Sequence, residues 1–189
     1  MPARSLKGGC YCRATTYTIS ISEKLPLLKG TPYHAPVCSL DHCEDYRKAA
    51  GSLFQAWIIV PEAWLQITSG EVNGASSITR FESSPDVFRS FCSKCGTHLF
   101  YENLKRKAPL EGEEEPVFLV DITIGSLDEE SLNETDLVKP RMNLWCDFGI
   151  SWVQEMLRDC KGGFGVLRKY PTGNIRHTEE DLKEKFMAR

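Results

Sequence analysis

The chain carries little net charge: 23 Lys and Arg stand against 26 Asp and Glu, a balance of −3 at pH 7. That excludes the electrostatic footprint of a nucleic-acid binder or a protein held on an anionic membrane. It also lacks any run approaching ~18 uninterrupted apolar residues, so no segment is expected to cross a membrane. The start, Met1-Pro2-Ala3-Arg4-Ser5-Leu6-Lys7, leads into no apolar stretch of the secretory kind. The expectation is therefore a cytoplasmic, reducing location. Internal repeats and low-complexity tracts are absent. With 41% hydrophobic and 26% charged residues, a disordered chain is excluded. The 189 residues suit one domain, expected over residues 5–170, with a polar tail at 171–189.

Cysteine is plentiful. Of eight, Cys10 and Cys12 form one tight pair and Cys92 and Cys95 another; Cys38 and Cys43 lie further apart, and Cys146 and Cys160 stand alone. In a reducing compartment such spacings point to metal ligands or catalytic thiols rather than disulfides. Cys92-Ser93-Lys94-Cys95-Gly96 reads as a zinc knuckle, with Gly96 permitting the tight turn. Cys10-Tyr11-Cys12 reads as a shorter knuckle, with Gly8-Gly9 supplying backbone shapes that other residues resist. The expectation is one structural zinc on Cys10, Cys12, Cys92 and Cys95; the competing reading is four reduced core thiols.

The periodicity is mainly that of β-strands. Thr16–Ile21 alternates, with Tyr17, Ile19 and Ile21 on one face. Further strands are expected over 53–60, 77–81, 87–91, 97–101 and 117–124. Residues 102–116, basic and then acidic, read as a long surface hairpin loop. Short helices are expected over 46–51, 151–160 and, capped by Thr178, 178–187. Together these give a mainly antiparallel β domain.

Gly9-Cys10-Tyr11-Cys12-Arg13, Arg47-Lys48-Ala49-Ala50-Gly51-Ser52-Leu53-Phe54 and Phe91-Cys92-Ser93-Lys94-Cys95-Gly96-Thr97-His98-Leu99-Phe100 resemble the glutathione-dependent formaldehyde-activating enzyme family, also called the centromere protein V domain. Ile124-Gly125-Ser126-Leu127-Asp128, Lys139-Pro140 and Trp145 extend the likeness. The resemblance implies a β-tent, coiled antiparallel sheets pinned by the structural zinc. It also implies a carbon–sulfur lyase class of activity, adding glutathione to formaldehyde to give S-hydroxymethylglutathione. Family members typically hold a second, catalytic zinc with a Cys-x-Cys-x-x-Cys motif. Here its positions fall on Asp41, Cys43 and Tyr46. Asn143 stands where relatives often carry histidine after Pro-x-x.

Three readings of this departure stay open. A remodelled second zinc would use Cys43 with Asp41, His42, Cys38 or His98. A metal-free enzyme, the leading reading, would run lyase-like acid–base chemistry on a carbonyl compound or glutathione adduct. In it His42 is the base, Cys43 the nucleophile and Tyr46 a proton donor, beside Asp41. Arg47, Gln55, Trp57 and His98 are the candidate substrate-binding residues. The third reading is a non-catalytic ligand- or protein-binding member keeping only the structural zinc. Asp121, set in an apolar strand, needs a partner: it is either a functional acid or the mate of a basic residue in the 102–116 hairpin.

Overall fold

The computed structural model describes residues 4–69, 71–72, 75–159 and 167–171. The strands before the midpoint are β1 (Arg4–Gly9), β2 (Thr16–Ile21), β3 (Val37–Asp41), β4 (Gln55–Pro61), β5 (Leu65–Ser69), β6 (Glu71–Val72) and β7 (Ala75–Ser76). Then follow β8 (Ile78–Ser84), β9 (Val87–Cys92), β10 (His98–Ala108), β11 (Val117–Thr123), β12 (Met142–Leu144) and β13 (Arg168–Lys169). Among the described residues four short α-helices accompany them: α1 (Glu44–Ala50), α2 (Glu129–Leu132), α3 (Thr135–Val138) and α4 (Ser151–Asp159). The mainly β class expected from periodicity holds. The chain divides into two compact units, Met1–Val37 with Ile58–Val138, and Cys38–Trp57 with Lys139–Arg189.

In the first unit β1, β2 and β5 form an antiparallel sheet, with Leu6 opposite Ile19 and Gly8 opposite Tyr17. The expected inward face of β2 is buried: Tyr17, Ile19 and Ile21 are at most 2% exposed. Strands β8 to β11 run as an antiparallel series. Phe100 on β10 meets Tyr17 edge-on at 5.3 Å, and Leu99 and Ile122 complete the core.

The expected 102–116 loop is shorter than its composition suggested, because β10 continues to Ala108 across a register shift between Glu102 and Lys107. Its basic residues find partners. Lys105 pairs with Asp86, Arg106 with Asp121, and Lys107 lies 4.3 Å from the centre of the Phe118 ring. Arg106 is thus satisfied strand to strand, while Lys105 and Lys107 stay at the surface.

Gly8 and Gly9 are small because of close approach, not because of left-handed backbone. A methyl on Gly8 would lie 2.6 Å from the Ser126 carbonyl oxygen and nearer still to the Tyr17 hydroxyl. One on Gly9 would lie 2.5 Å from the Thr15 carbonyl. Gly96, by contrast, does adopt φ +73° in the turn closing the second cysteine pair.

The second unit pairs in parallel, a pattern the sequence did not signal. Ser39, Leu40 and Asp41 of β3 lie beside Met142, Asn143 and Leu144 of β12, and β12 lies beside β13. Helix α1 follows β3 almost at once and ends at Gly51 in the left-handed conformation (φ +61°). Helix α4 buries Val153 but leaves Trp152 55% exposed. Cys160 and the expected 178–187 helix lie outside the described residues.

Gly8→Ala tests the close packing of β1. Overpacking of this kind costs about 1–3 kcal/mol, so the urea midpoint should fall with an unchanged slope. An unchanged midpoint would show that the Tyr17–Ser126 neighbourhood yields freely.

Candidate functional site

Two groups of side chains carry chemistry, one in each unit. The first is the cysteine cluster. Gly8-Gly9 lead out of β1 into Cys10 and Cys12, and the turn after β9 presents Cys92 and Cys95. Their four sulfurs all lie within 4.8 Å of one another. Among the described residues this is the one group of three or more Cys, His, Asp or Glu whose ligand atoms converge. Cys10 and Cys12 sulfurs are 3.6 Å apart, and those of Cys12 and Cys92 3.7 Å. A disulfide needs ~2.05 Å; a tetrahedral ion ~2.3 Å from each sulfur would place sulfurs ~3.8 Å apart. The spacing therefore fits four thiolates around one metal ion.

Hydrogen-bond donors turn toward three of the four sulfurs, and the thiols of Cys10 and Cys95 are lowered while that of Cys12, beside its neighbouring sulfurs, is raised to about 11. The Thr15 amide donates to Cys10 Sγ at 3.2 Å and the Lys94 amide to Cys92 Sγ at 3.4 Å. The Thr97 hydroxyl lies 3.2 Å from Cys95 Sγ and is the chief reason that thiol is held down to about 5. Thr15 and Thr97 were missed in sequence; only the Cys-Gly-Thr run hinted at the latter.

The second group lies at the junction of β3 and α1. Asp41 (3% exposed) accepts the Cys43 amide at 2.8 Å through Oδ1, turning the chain into the helix. His42 is 2% exposed. Its amide donates to the Leu144 carbonyl at 3.1 Å, and its carbonyl accepts from Arg47 at 2.7 Å. Its Nε2 lies 3.0 Å from Asn143 Oδ1, while Nδ1 is buried without a partner among the described residues. Burial first, and the charges of Arg47 and Lys169 next, hold this imidazole below its ordinary pKa despite the Asn143 bond. It is therefore neutral near pH 7. Cys43 is half-buried beside it.

The remaining candidates divide. Tyr46 is buried and meets Trp57 edge-on at 5.1 Å, so β4 and α1 bring these two together. Arg47 also donates to the Phe148 carbonyl at 2.6 Å; it clasps two main-chain segments. Neighbouring Lys48 pairs with Glu44 on the surface. Gln55 is buried and donates to the Ala56 carbonyl. Cys38 is buried, which pushes its thiol up to about 12. His98 belongs to the first unit, where burial and then Arg89 lower it to about 4. Asp121 holds Arg106 in a two-pronged pair, one contact at 3.0 Å, which settles its partner. Asn143 is the residue of this group that sequence reasoning left without a role: its one signal was a departure from relatives.

The fold and the cysteine cluster define a metal-competent β protein. The profile described as "Glutathione-dependent formaldehyde-activating enzyme" matches residues 5–148, and the chain belongs to that family. It is 26% identical over 103 residues to a Colletotrichum graminicola protein provisionally named glutathione-dependent formaldehyde-activating enzyme. That match covers 54% of this chain and 46% of the relative, so the chain spans about half the relative's length. The crystal structure of a Rhodobacter sphaeroides protein aligns with TM-score 0.42 at 15% identity, covering 65% of this chain and 88% of that one.

His98 makes stability pH-dependent. Its folded pKa of about 4 lies below the unfolded 6.5, so the unfolded chain binds the extra proton. The contribution is full above pH 6.5 and is lost as pH falls toward 4, on the order of 3 kcal/mol across the window. His98→Gln should flatten the fall in urea midpoint between pH 7 and pH 4.5 relative to wild type. Parallel pH curves for the two proteins would refute the assignment.

Proposed function

We propose that this protein is a small-molecule enzyme of lyase type whose cysteine cluster binds a structural zinc and whose chemistry is metal-free. The observation that carries the reading is His42: buried, neutral, bonded on Nε2 and bare on Nδ1, next in sequence to Cys43. A neutral imidazole poised in this way is what a general base requires. In this reading His42 takes the proton of a thiol or of a carbon beside a carbonyl. The Cys43 thiol is the nucleophile, and Tyr46 hydrogen-bonds the developing oxyanion. Asp41 shapes the turn that presents Cys43. Arg47, Gln55 and Trp57, all in the same unit as His42, are the candidate contacts to substrate. The substrate class is a carbonyl compound or its glutathione adduct, as family membership suggests. With Asp41 and Tyr46 at two of the three second-zinc positions, the founding addition of glutathione to formaldehyde is not the expected reaction.

Zinc analysis tests the metal assignments. Wild type and Cys43→Ser should each carry one zinc per chain, and Cys92→Ser should lose it with its cooperative unfolding. Two zinc falling to one on Cys43→Ser would instead establish the remodelled metal centre.

Turnover is tested separately. Formaldehyde with glutathione should proceed at the uncatalysed rate, while a panel of glutathione hemithioacetals should include one compound turned over. His42→Gln should slow that reaction about 10²- to 10⁴-fold. Ready S-hydroxymethylglutathione synthesis would overturn the loss of the founding reaction.

A second reading has its own observation. Phe148, Trp152 and Met156, spaced four residues apart on and before α4, are 55%, 55% and 46% exposed. Such an apolar stripe favours a protein-binding member. A hemithioacetal panel with no turnover, together with self-association abolished by Trp152→Glu, would decide for it.

A further inference from the structure

Every polar group of His42 except one is accounted for. The amide is held by the Leu144 carbonyl at 3.1 Å, the carbonyl by Arg47 at 2.7 Å, and Nε2 by Asn143 Oδ1 at 3.0 Å. The Phe54 ring stands tilted at 6.3 Å from the imidazole. Asn143 is itself fixed. It is 6% exposed, sits on β12 beside Leu40, and its carbonyl accepts the Tyr170 amide at 2.9 Å. Two residues on, Trp145 occupies the left-handed region at φ +56°, a strained conformation that persists only where the surroundings enforce it.

An amide oxygen has lone pairs and no proton to give. An imidazole nitrogen meeting it must therefore donate. In a neutral ring the proton then sits on Nε2, and Nδ1 holds the lone pair. A buried acceptor without a donor is costly to keep, and this fold keeps one at a residue otherwise pinned on all sides.

We infer that Asn143 is the positioning residue of this centre: it locks His42 as the Nε2–H tautomer and leaves Nδ1 as the atom that accepts a proton from substrate. The inference deepens the enzyme reading and rests on it for the use made of the lone pair, but not for the tautomer. It also narrows the ligand. The group that meets Nδ1 must be a donor, such as a thiol, a hydroxyl or an acidic C–H; a carboxylate there would face a lone pair with a charge.

The test is a long-range ¹H–¹⁵N correlation spectrum of full-length protein labelled at histidine, at pH 7. His42 is identified by its loss in His42→Gln. The expected result is one protonated and one bare nitrogen, the bare one being Nδ1, away from the averaged shifts of free imidazole. Asn143→Leu should move both nitrogens toward those averaged values, and Asn143→Asp, which keeps an acceptor, should restore the proton to Nε2. A proton on Nδ1 in wild type would mean that the amide is turned the other way, and overturns the inference. So would averaged shifts in wild type, a measurement that needs no variant to fold. A locked tautomer with no hemithioacetal turnover sinks the enzyme reading and Nδ1 as acceptor from substrate, leaving Asn143 as the lock. Turnover with the reversed tautomer sinks this inference alone.

Discussion

Bringing four sulfurs within 4.8 Å of one another is the constraint on which the first unit depends. Cys12 and Cys92 are 80 residues apart, so the cluster closes a loop whose entropy is a large term in the unfolded chain. It ties β1 to the β9–β10 turn at the place where Gly8 runs against the Tyr17 hydroxyl and the Ser126 carbonyl. The near-contact leaves no room for a side chain, and the cluster holds the strand there. Amides from Thr15 and Lys94 and the hydroxyl of Thr97 turn toward the sulfurs, so the second layer of bonds is built for negative charge.

The second unit solves a different problem, how to keep a polar ring in a dry place. His42 is bonded through its amide, carbonyl and Nε2 to three separate points of that unit. Arg47 spends its hydrogen bonds on two main-chain carbonyls and so fastens α1 to the 146–148 turn. The cost of desolvating a cation keeps the imidazole neutral. Rigid placement and neutrality are the two properties that the proposed role of His42 as a base draws on.

Legibility in the sequence followed the range of the interaction. The cysteine pairs were readable because metal knuckles are local, with ligands two or three residues apart. β2 was readable because alternation is local too. The role of Gly8-Gly9 was misjudged, since close approach depends on Tyr17 and Ser126 arriving from elsewhere. The need of Asp121 for a basic mate in the hairpin was readable, but that the mate is Arg106 depends on how β10 and β11 register. The His42–Asn143 pair spans 101 residues and joins strands in parallel, for which no short turn leaves a trace. Asn143 could be noticed as a departure, but not as a partner.

The parallel pairing of β3 with β12 and of β12 with β13 bears on how the protein is made. Once residue 95 has left the ribosome, all four cluster sulfurs exist and the first unit can begin to close. β3 and its histidine must then wait for residues 142–144, and β12 for 168–169. During synthesis β3 can thus have β4 beside it while its other edge still waits for β12. A chain ending near residue 140 would keep all four cysteines and His42 but lose Asn143 and Leu144, the two groups on β12 that hold the His42 ring and amide.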